Sequence, residues 1–157
     1  MGLPGGDSRE ELCLEWMSNK NVHLQWSGSM KNTVFYFGIA LLFTHELDAM
    51  PNHEWRVLPG LNLLSDAAGE AVFLIAHVPF FALVIAFTAS VNVKTRATAR
   101  EFASGFLIAH AAAHYLFSGS SAYEFSSAVS SVLIYAAAVC GIAYFAALWF
   151  ERSANAS

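Results

Sequence analysis

Charged residues are scarce in this chain of 157 residues: Asp, Glu, Lys and Arg make up 13% of the sequence, whereas hydrophobic residues make up 56%. An ordinary soluble domain carries about 25% charged residues. This deficit excludes a typical soluble domain and predicts that most of the chain lies in a lipid bilayer. The sequence also lacks a basic patch and a glycine-rich phosphate loop, so nucleic acid is not an expected partner.

Cysteine is nearly absent as well. Cys13 and Cys140 are far apart and neither belongs to a C-x-x-C pair, so the sequence offers no thiolate metal site and no redox pair. A metal site in this chain would therefore be built from His, Asp and Glu side chains.

Four apolar stretches are long enough to cross about 30 Å of hydrocarbon at 1.5 Å per residue. They cover residues 32–50, 68–91, 97–118 and 122–150. This pattern predicts an all-α integral membrane protein with a four-helix transmembrane bundle at residues 31–152. Residues 1–30 are expected to form a cytoplasmic or interfacial extension, and residues 153–157 a short tail.

The cationic residues indicate the orientation of the bundle. Seven of the eight lie beside predicted helix ends that share one side of the membrane, and Arg56 alone lies on the other side. Because short positively charged segments stay in the cytoplasm, both termini are predicted to be cytoplasmic. The expected location is a bacterial inner membrane. The seven are Arg9, Lys20, Lys31, Lys94, Arg96, Arg100 and Arg152.

Six ionisable residues fall inside the apolar stretches at a similar depth, in the outer-leaflet half. They are His45, Glu46, Asp48, His77, His110 and His114. Pairs three or four residues apart share one helix face, which makes His45 with Asp48, and His110 with His114, potential chelating pairs. A single membrane histidine often only bonds to a neighbouring helix, but a buried carboxylate is costly and needs partners. The set predicts a shared metal or catalytic site.

Four histidines with carboxylates favour zinc first, and iron, manganese or copper as alternatives. Three histidines, for example His77, His110 and His114, would leave the fourth zinc position for water. Asp48 is the candidate general base, and Glu46 is the second predicted catalytic residue. His45 is a fourth ligand, a proton shuttle, or part of a second metal position with Asp48 and Glu46.

The loop at residues 51–67 is predicted to lie along the outer interface as a lid, since Pro and Gly interrupt regular helix there. His53 and Glu54 either reach the site or are solvated. Arg56 either holds an anionic group of a substrate or anchors the loop at the interface. Glu70 shares a helix face with His77 but is about 10 Å shallower, so it is a candidate substrate-binding residue that orients a ligand through water or guards the entrance.

These motifs resemble known membrane proteins of small size. The run His45-Glu-Leu-Asp48, then His53-Glu-Trp-Arg56, and later His110-Ala-Ala-Ala-His114, is similar to bacterial membrane proteins named for a His-x-x-Glu-Glu motif. It also resembles a related uncharacterised His-Glu-Leu-Asp-Ala group. The resemblance spans roughly residues 34–118 and implies a metal-dependent membrane enzyme, although Asp48 and Ala49 stand where the motif has two acids. In site chemistry alone, the chain is similar to ceramidase-like zinc amidases.

Three functions are compatible with these patterns. The first is a metal-dependent membrane hydrolase that uses a zinc-bound water on a membrane lipid or another apolar small molecule. The second is an electron-transfer protein in which two histidines bind a b-type haem. The third is a metal or proton carrier, which would require polar residues to continue into the inner half. A homo-oligomer is compatible with all three.

Overall fold

The computed structural model describes residues 8–156, with side chains from residue 30 onward. The described chain folds into four α-helices and two 3₁₀ helices, without a strand in these residues. The α-helices are α1 (Ser8–Ala49), α2 (Asp66–Thr88), α3 (Val93–Phe117) and α4 (Ala128–Ala156), and the 3₁₀ helices are Glu54–Arg56 and Leu61–Leu63. The prediction of an all-helical chain is thus confirmed.

Local sequence signals mark the helix ends. α1 stops at Ala49, two residues before Pro51, because the residue that precedes a proline avoids helical conformation. The Asn92 side chain accepts hydrogen bonds from the backbone N–H groups of Lys94 and Thr95 and so caps α3. The Ser127 hydroxyl accepts one from the N–H three residues later, at the start of α4.

α1 is much longer than its apolar stretch. It begins at Ser8 rather than near residue 32, since the residues between include helix-forming Glu, Leu and Lys and no proline. Apolar length predicts where a helix can cross hydrocarbon, not where the helix begins. α4 shows the opposite difference and starts at Ala128 rather than near residue 122, because Tyr123 and Phe125 leave the helical path to pack on the histidines described below.

Three helices, α1, α3 and α4, pack closely and are called the three-helix unit. Glycines allow this approach: a Cβ atom at Gly141 would lie 2.5 Å from the carbonyl oxygen of Ser104 on α3. A Cβ atom at Gly38 of α1 would lie 2.8 Å from a Leu107 methyl group. Any larger residue at either glycine would force the helices apart.

α2 lies at the edge of this unit. It contacts mainly α3 and the loop that follows α1, and its buried residues are only Gly69, Phe73 and Thr88. Pro79, which has no N–H group, removes one backbone hydrogen bond from the middle of the helix. The other side chains of α2 are largely exposed and apolar.

Among the described residues, two helices, α2 and α4, are long and apolar enough to cross a membrane. α1 and α3 are more polar, since α1 carries Glu46 and Asp48 near its end and α3 carries Arg100 and Glu101. The chain thus has two candidate membrane helices, and the four-span arrangement stays a prediction.

Candidate metal centre

Three histidines meet at one end of the three-helix unit. His45 lies one turn before the end of α1, and His110 and His114 lie one turn apart near the end of α3, where a spacing of four places them on one face. The Nε2 atom of His114 is 3.1 Å from Nε2 of His45 and 3.1 Å from Nε2 of His110. Three ring nitrogens therefore point at a common position.

The loop after α1 adds a carboxylate to these nitrogens. Glu54, at the start of the first 3₁₀ helix, is 4% exposed, and its oxygens lie 3.4 Å from Nε2 of His114 and 3.7 Å from Nε2 of His45. His53, just before it, adopts the left-handed φ of 50° that turns the chain inward. Burial raises the pKa of the Glu54 carboxyl, but the hydrogen bond and charge of His114 outweigh it and hold the pKa below its ordinary value.

These four residues, His45, Glu54, His110 and His114, are called the metal cluster. One ligand atom from each lies within 4.8 Å of all the others. Around a tetrahedral ion with bonds of about 2.1 Å, ligand atoms are about 3.4 Å apart, which is close to the separations given above. The metal cluster could hold a metal ion.

Hydrogen bonding alone does not satisfy this arrangement. The Nε2 atom of His114 faces two imidazoles and a carboxylate, yet a ring nitrogen offers either one proton or one lone pair. The buried Oε2 of Glu54 has no hydrogen-bond partner, which is rare for a buried polar atom. A cation at the common position would accept the lone pairs of the nitrogens and balance the carboxylate.

Aromatic residues between α3 and α4 hold the histidine rings in place. The Tyr123 hydroxyl lies 3.2 Å from Nδ1 of His114, so it can fix the tautomer that leaves Nε2 free, as second-sphere partners of metal ligands do. The buried Phe125 ring lies 5.3 Å from the His45 ring and 4.8 Å from the His114 ring. It covers the metal cluster on the side of α4.

Glu46 and His77 form a separate pair beside the metal cluster. Nε2 of His77 lies 2.9 Å from Oε2 of Glu46, and Nδ1 lies 2.7 Å from the carbonyl oxygen of Phe73 one turn earlier. Because both ring nitrogens have partners, the structure places His77 outside the metal cluster, although the sequence predicts it as a ligand. Glu46, predicted as catalytic, is His77's partner.

Asp48 also lies outside the metal cluster. Its backbone carbonyl accepts a hydrogen bond from the Asn52 amide, and one buried oxygen of its side chain has no hydrogen-bond partner. The carboxylate next to the histidine nitrogens comes from Glu54 in the loop, not from the helix position three residues after His45.

A cavity of about 460 Å³, called the site cavity, adjoins both groups. Glu46, Glu54, His77 and His110 line it, with apolar side chains of α2, α3 and the loop making up the rest. The volume lies within the range of small-molecule sites, roughly 300–1,000 Å³. A bound molecule would touch the metal cluster on one side and the Glu46–His77 pair on the other.

His53 and Arg56 of the loop form ion pairs at the surface with Asp66 and Glu124, and these four residues are called the surface latch. Arg56 donates hydrogen bonds to Asp66 at 2.7 and 2.8 Å and to Glu124 at 2.9 Å. His53 lies 2.9 Å from Glu124, and this hydrogen bond, followed by the Arg56 charge, lowers the Glu124 pKa. Glu70, a predicted substrate-binding residue, is exposed and makes no ion pair among the described residues.

Residues 31–151 match the model of a family of unknown function, DUF6713. The chain belongs to this family. All members of the metal cluster and the Glu46–His77 pair lie inside the matched region. No curated protein and no solved structure matches the chain, so for this DUF6713 protein the functional argument rests on the site itself.

The structure adds three residues to the site of this DUF6713 protein that the sequence does not single out: Tyr123, Phe125 and Glu124. A weak signal exists, because Tyr-Glu-Phe directly follows the small residues that end the third apolar stretch. Glu124 falls at a predicted helix end, where interfacial water would explain it equally well. The roles of residues 123–125 follow only from the tertiary structure, in which they contact the histidines and the loop after α1.

Proposed function

We propose that this protein is a metal-dependent integral membrane hydrolase acting on an apolar substrate. One observation carries the proposal: three histidine nitrogens and a buried carboxylate converge beside a cavity with mostly apolar walls. A purely structural polar network would not need a cavity at its edge. Catalytic sites commonly combine a concave apolar pocket with a few convergent polar groups.

Zinc is the first choice of metal, and iron or manganese are alternatives. Imidazole and carboxylate ligands suit all three, and a set of three histidines and one carboxylate matches the four-ligand shell that zinc usually takes. A zinc ion held by His45, His110 and His114 would act as a Lewis acid and lower the pKa of a bound water to about 7. Glu54 then serves either as fourth ligand or as the base that orients the water.

Hydrolysis adds one water across the scissile C–N or C–O bond: the hydroxyl joins the acyl carbon, and a proton goes to the leaving nitrogen or oxygen. His77 is suited to deliver that proton. Its Nδ1 donates to the Phe73 carbonyl, and its Nε2 shares one proton with Glu46 on the cavity wall. Asp48, outside this geometry, is assigned no step.

The protein is proposed to span the membrane four times with both termini in the cytoplasm. The end of the bundle opposite the metal cluster gathers its cations: Lys31 pairs with Glu151, and Arg152 with Glu101. Arg56 instead lies at the metal-cluster end. This distribution supports a cytoplasmic location for the cationic end and the outer-leaflet half for the site.

The same contacts favour an enzyme over the two alternatives. A haem held by His45 and His114 would place its porphyrin between them, but the His110 nitrogen and the Glu54 carboxylate, 3.1 and 3.4 Å from Nε2 of His114, occupy that space. A carrier needs polar groups that continue through the membrane. The space beyond the site cavity is instead lined mainly by apolar side chains.

Metal analysis of detergent-purified protein, with an absorption spectrum of the same sample, tests the proposal. We expect about one zinc, iron or manganese ion per chain, since one four-ligand site is present, and no haem band. His110→Ala should lose most of the metal, whereas His77→Ala should keep it. Metal-loaded protein should hydrolyse a fatty amide or ester, and His77→Ala should slow this reaction.

Equal metal content in His110→Ala and His77→Ala would overturn the ligand set. A full complement of metal without hydrolysis of any acyl amide or ester would leave a metal site and remove the hydrolase. A strong haem spectrum would replace the proposal by the haem alternative.

A further inference from the structure

A second cavity, called the groove, lies between α2 and α3 on the side away from the loop. Its volume is about 710 Å³. Leu83, Phe87, Ala99 and Phe102 form part of its walls, and Leu42 of α1 lies at its floor. The lining is almost entirely apolar. Because α2 buries few residues against the three-helix unit, an open space remains between α2 and α3.

The groove continues from the site cavity. Phe80 of α2 and Phe106 of α3 line both spaces, and their ring centroids are 5.7 Å apart. These two rings separate the site cavity, which has polar residues in its wall, from the apolar groove. A rotation of either side chain would join them, and aromatic side chains change rotamer without moving the helices.

The length of the groove follows from α3. Its lining runs from Phe106 down to Thr95, which is about 16 Å at 1.5 Å per residue. The far end carries Lys94, Thr95 and Thr98, the residues expected at the cytoplasmic interface. The apolar part therefore extends through hydrocarbon from the site towards the opposite membrane surface.

We propose that the groove binds the acyl chain of a single-chain fatty amide or ester, with the scissile carbonyl in the site cavity. This inference rests on the proposed hydrolase and names its substrate class. A second protein helix, 10–12 Å wide, could not continue past Phe80 and Phe106 into the site cavity. A flexible alkyl chain can, and it meets the site from the hydrocarbon side.

The test uses purified, metal-loaded full-length protein in lipid nanodiscs with an uncharged palmitoyl amide that carries a photoreactive diazirine in its chain. Ala99→Phe would fill the groove from α3. Ala97→Phe is the matched control, because Ala97 is exposed on the same helix and lines neither space. Leu83→Trp fills the groove from α2 and serves if Ala99→Phe does not fold.

In the unmodified protein, crosslinks should map to peptides of α2 and α3. Ala99→Phe should reduce this labelling roughly tenfold, the loss that corresponds to about 1.4 kcal/mol of binding, whereas Ala97→Phe should match the unmodified protein. An octanoyl probe, about half as long, should label Ala99→Phe almost normally, since its chain would end before that position. Metal content should be the same in all variants.

Equal labelling of Ala99→Phe and Ala97→Phe would overturn the proposal, as would labelling spread evenly over exposed residues of α4 such as Val132 and Val139. Retained metal with no groove labelling would remove the acyl-chain site and leave the metal centre. Groove labelling in protein that binds no metal would do the reverse, so the two proposals fail separately.

Discussion

The three-helix unit and α2 differ in how they are packed. The unit is held by glycine contacts in which no side chain would fit, such as Gly141 against Ser104. α2 packs only against the edge of the three-helix unit, and the site cavity and the groove lie on either side of Phe80 and Phe106. All three histidines of the metal cluster belong to the tight region, and none belongs to α2.

This contrast separates two requirements of a site. Metal ligands must be held within a few tenths of an ångström, which suits close-packed helices. A substrate chamber must admit and release a molecule, which suits a helix with few packing contacts. α2 provides the Glu46 partner His77 and a wall of both spaces, and none of the cluster histidines lies on it.

The largest expected effect comes from breaking the connection between the two regions. Trp55 is 3% exposed, donates a hydrogen bond to Asp66 at 2.9 Å, and packs on Phe73 of α2. Trp55→Ala should destabilise the protein by about 3–5 kcal/mol, as measured by thermal or denaturant unfolding followed by circular dichroism. It should also weaken metal binding, since Glu54 lies next to it.

Trp149→Ala is the control for this change. Trp149 is 63% exposed, and its removal should alter stability by less than about 0.5 kcal/mol. If both variants were equally stable and bound metal equally well, the loop would not be the element that joins α2 to the metal cluster.

A smaller effect is expected from loosening the tight region itself. Gly141→Ala would push a Cβ atom against the Ser104 carbonyl, at a cost of about 1–3 kcal/mol. Gly105→Ala is a matched change, because the nearest atom to its added Cβ would be 4.0 Å away, and helix propensity favours alanine by up to about 1 kcal/mol. A thermal unfolding series in which Gly141→Ala is no less stable than Gly105→Ala would contradict the close packing of α3 and α4.

The smallest effect concerns the surface latch and depends on pH. The pKa of Glu124 is lowered by the hydrogen bond with His53 and then by Arg56. A carboxyl with a depressed pKa in the folded state stabilises the fold above its unfolded pKa, about 4.3 for Glu, and this stability is lost as the pH falls through the folded value. Glu124→Gln should therefore lower the unfolding temperature slightly near neutral pH and not at pH values below the folded pKa.

Glu70→Gln provides the comparison, since Glu70 is an exposed glutamate without an ion pair in the described residues. Its unfolding temperature should follow that of the unmodified protein at every pH. The Glu124 effect should also shrink at high salt, because exposed ion pairs are screened. A constant difference across the pH range would mean that Glu124 acts by packing instead.

Much of the fold was predictable because apolar length and helix-breaking residues are local properties. The predicted apolar stretches overlap α1 to α4, and Pro51 marks the end of α1. The start of α1 at Ser8 was not predictable from hydropathy, since that measure does not report helical propensity. The positions of the histidines along their helices follow from the sequence alone, which is why His45, His110 and His114 could be grouped.

The carboxylate partners could not be assigned from spacing. Asp48 and Glu54 are both near His45 in sequence, and only tertiary contacts separate their roles. The left-handed φ of His53 and the packing of Trp55 turn the Glu54 side chain inward, and neither has a signature that sequence patterns report. His77 likewise shares the depth of the other histidines, but its direction depends on Glu46, which lies on another helix.

The origin of Glu54 in a loop has a consequence for how an ion would be loaded. The three histidines lie on the close-packed helices α1 and α3, whereas Glu54 lies on the loop between α1 and α2. The carboxylate completes the metal cluster from the loop that follows α1. For a centre of the proposed kind, an ion would be captured from the outer aqueous phase rather than through the bilayer. Its rate of exchange would be governed by the opening of residues 50–65, not by separation of the helices.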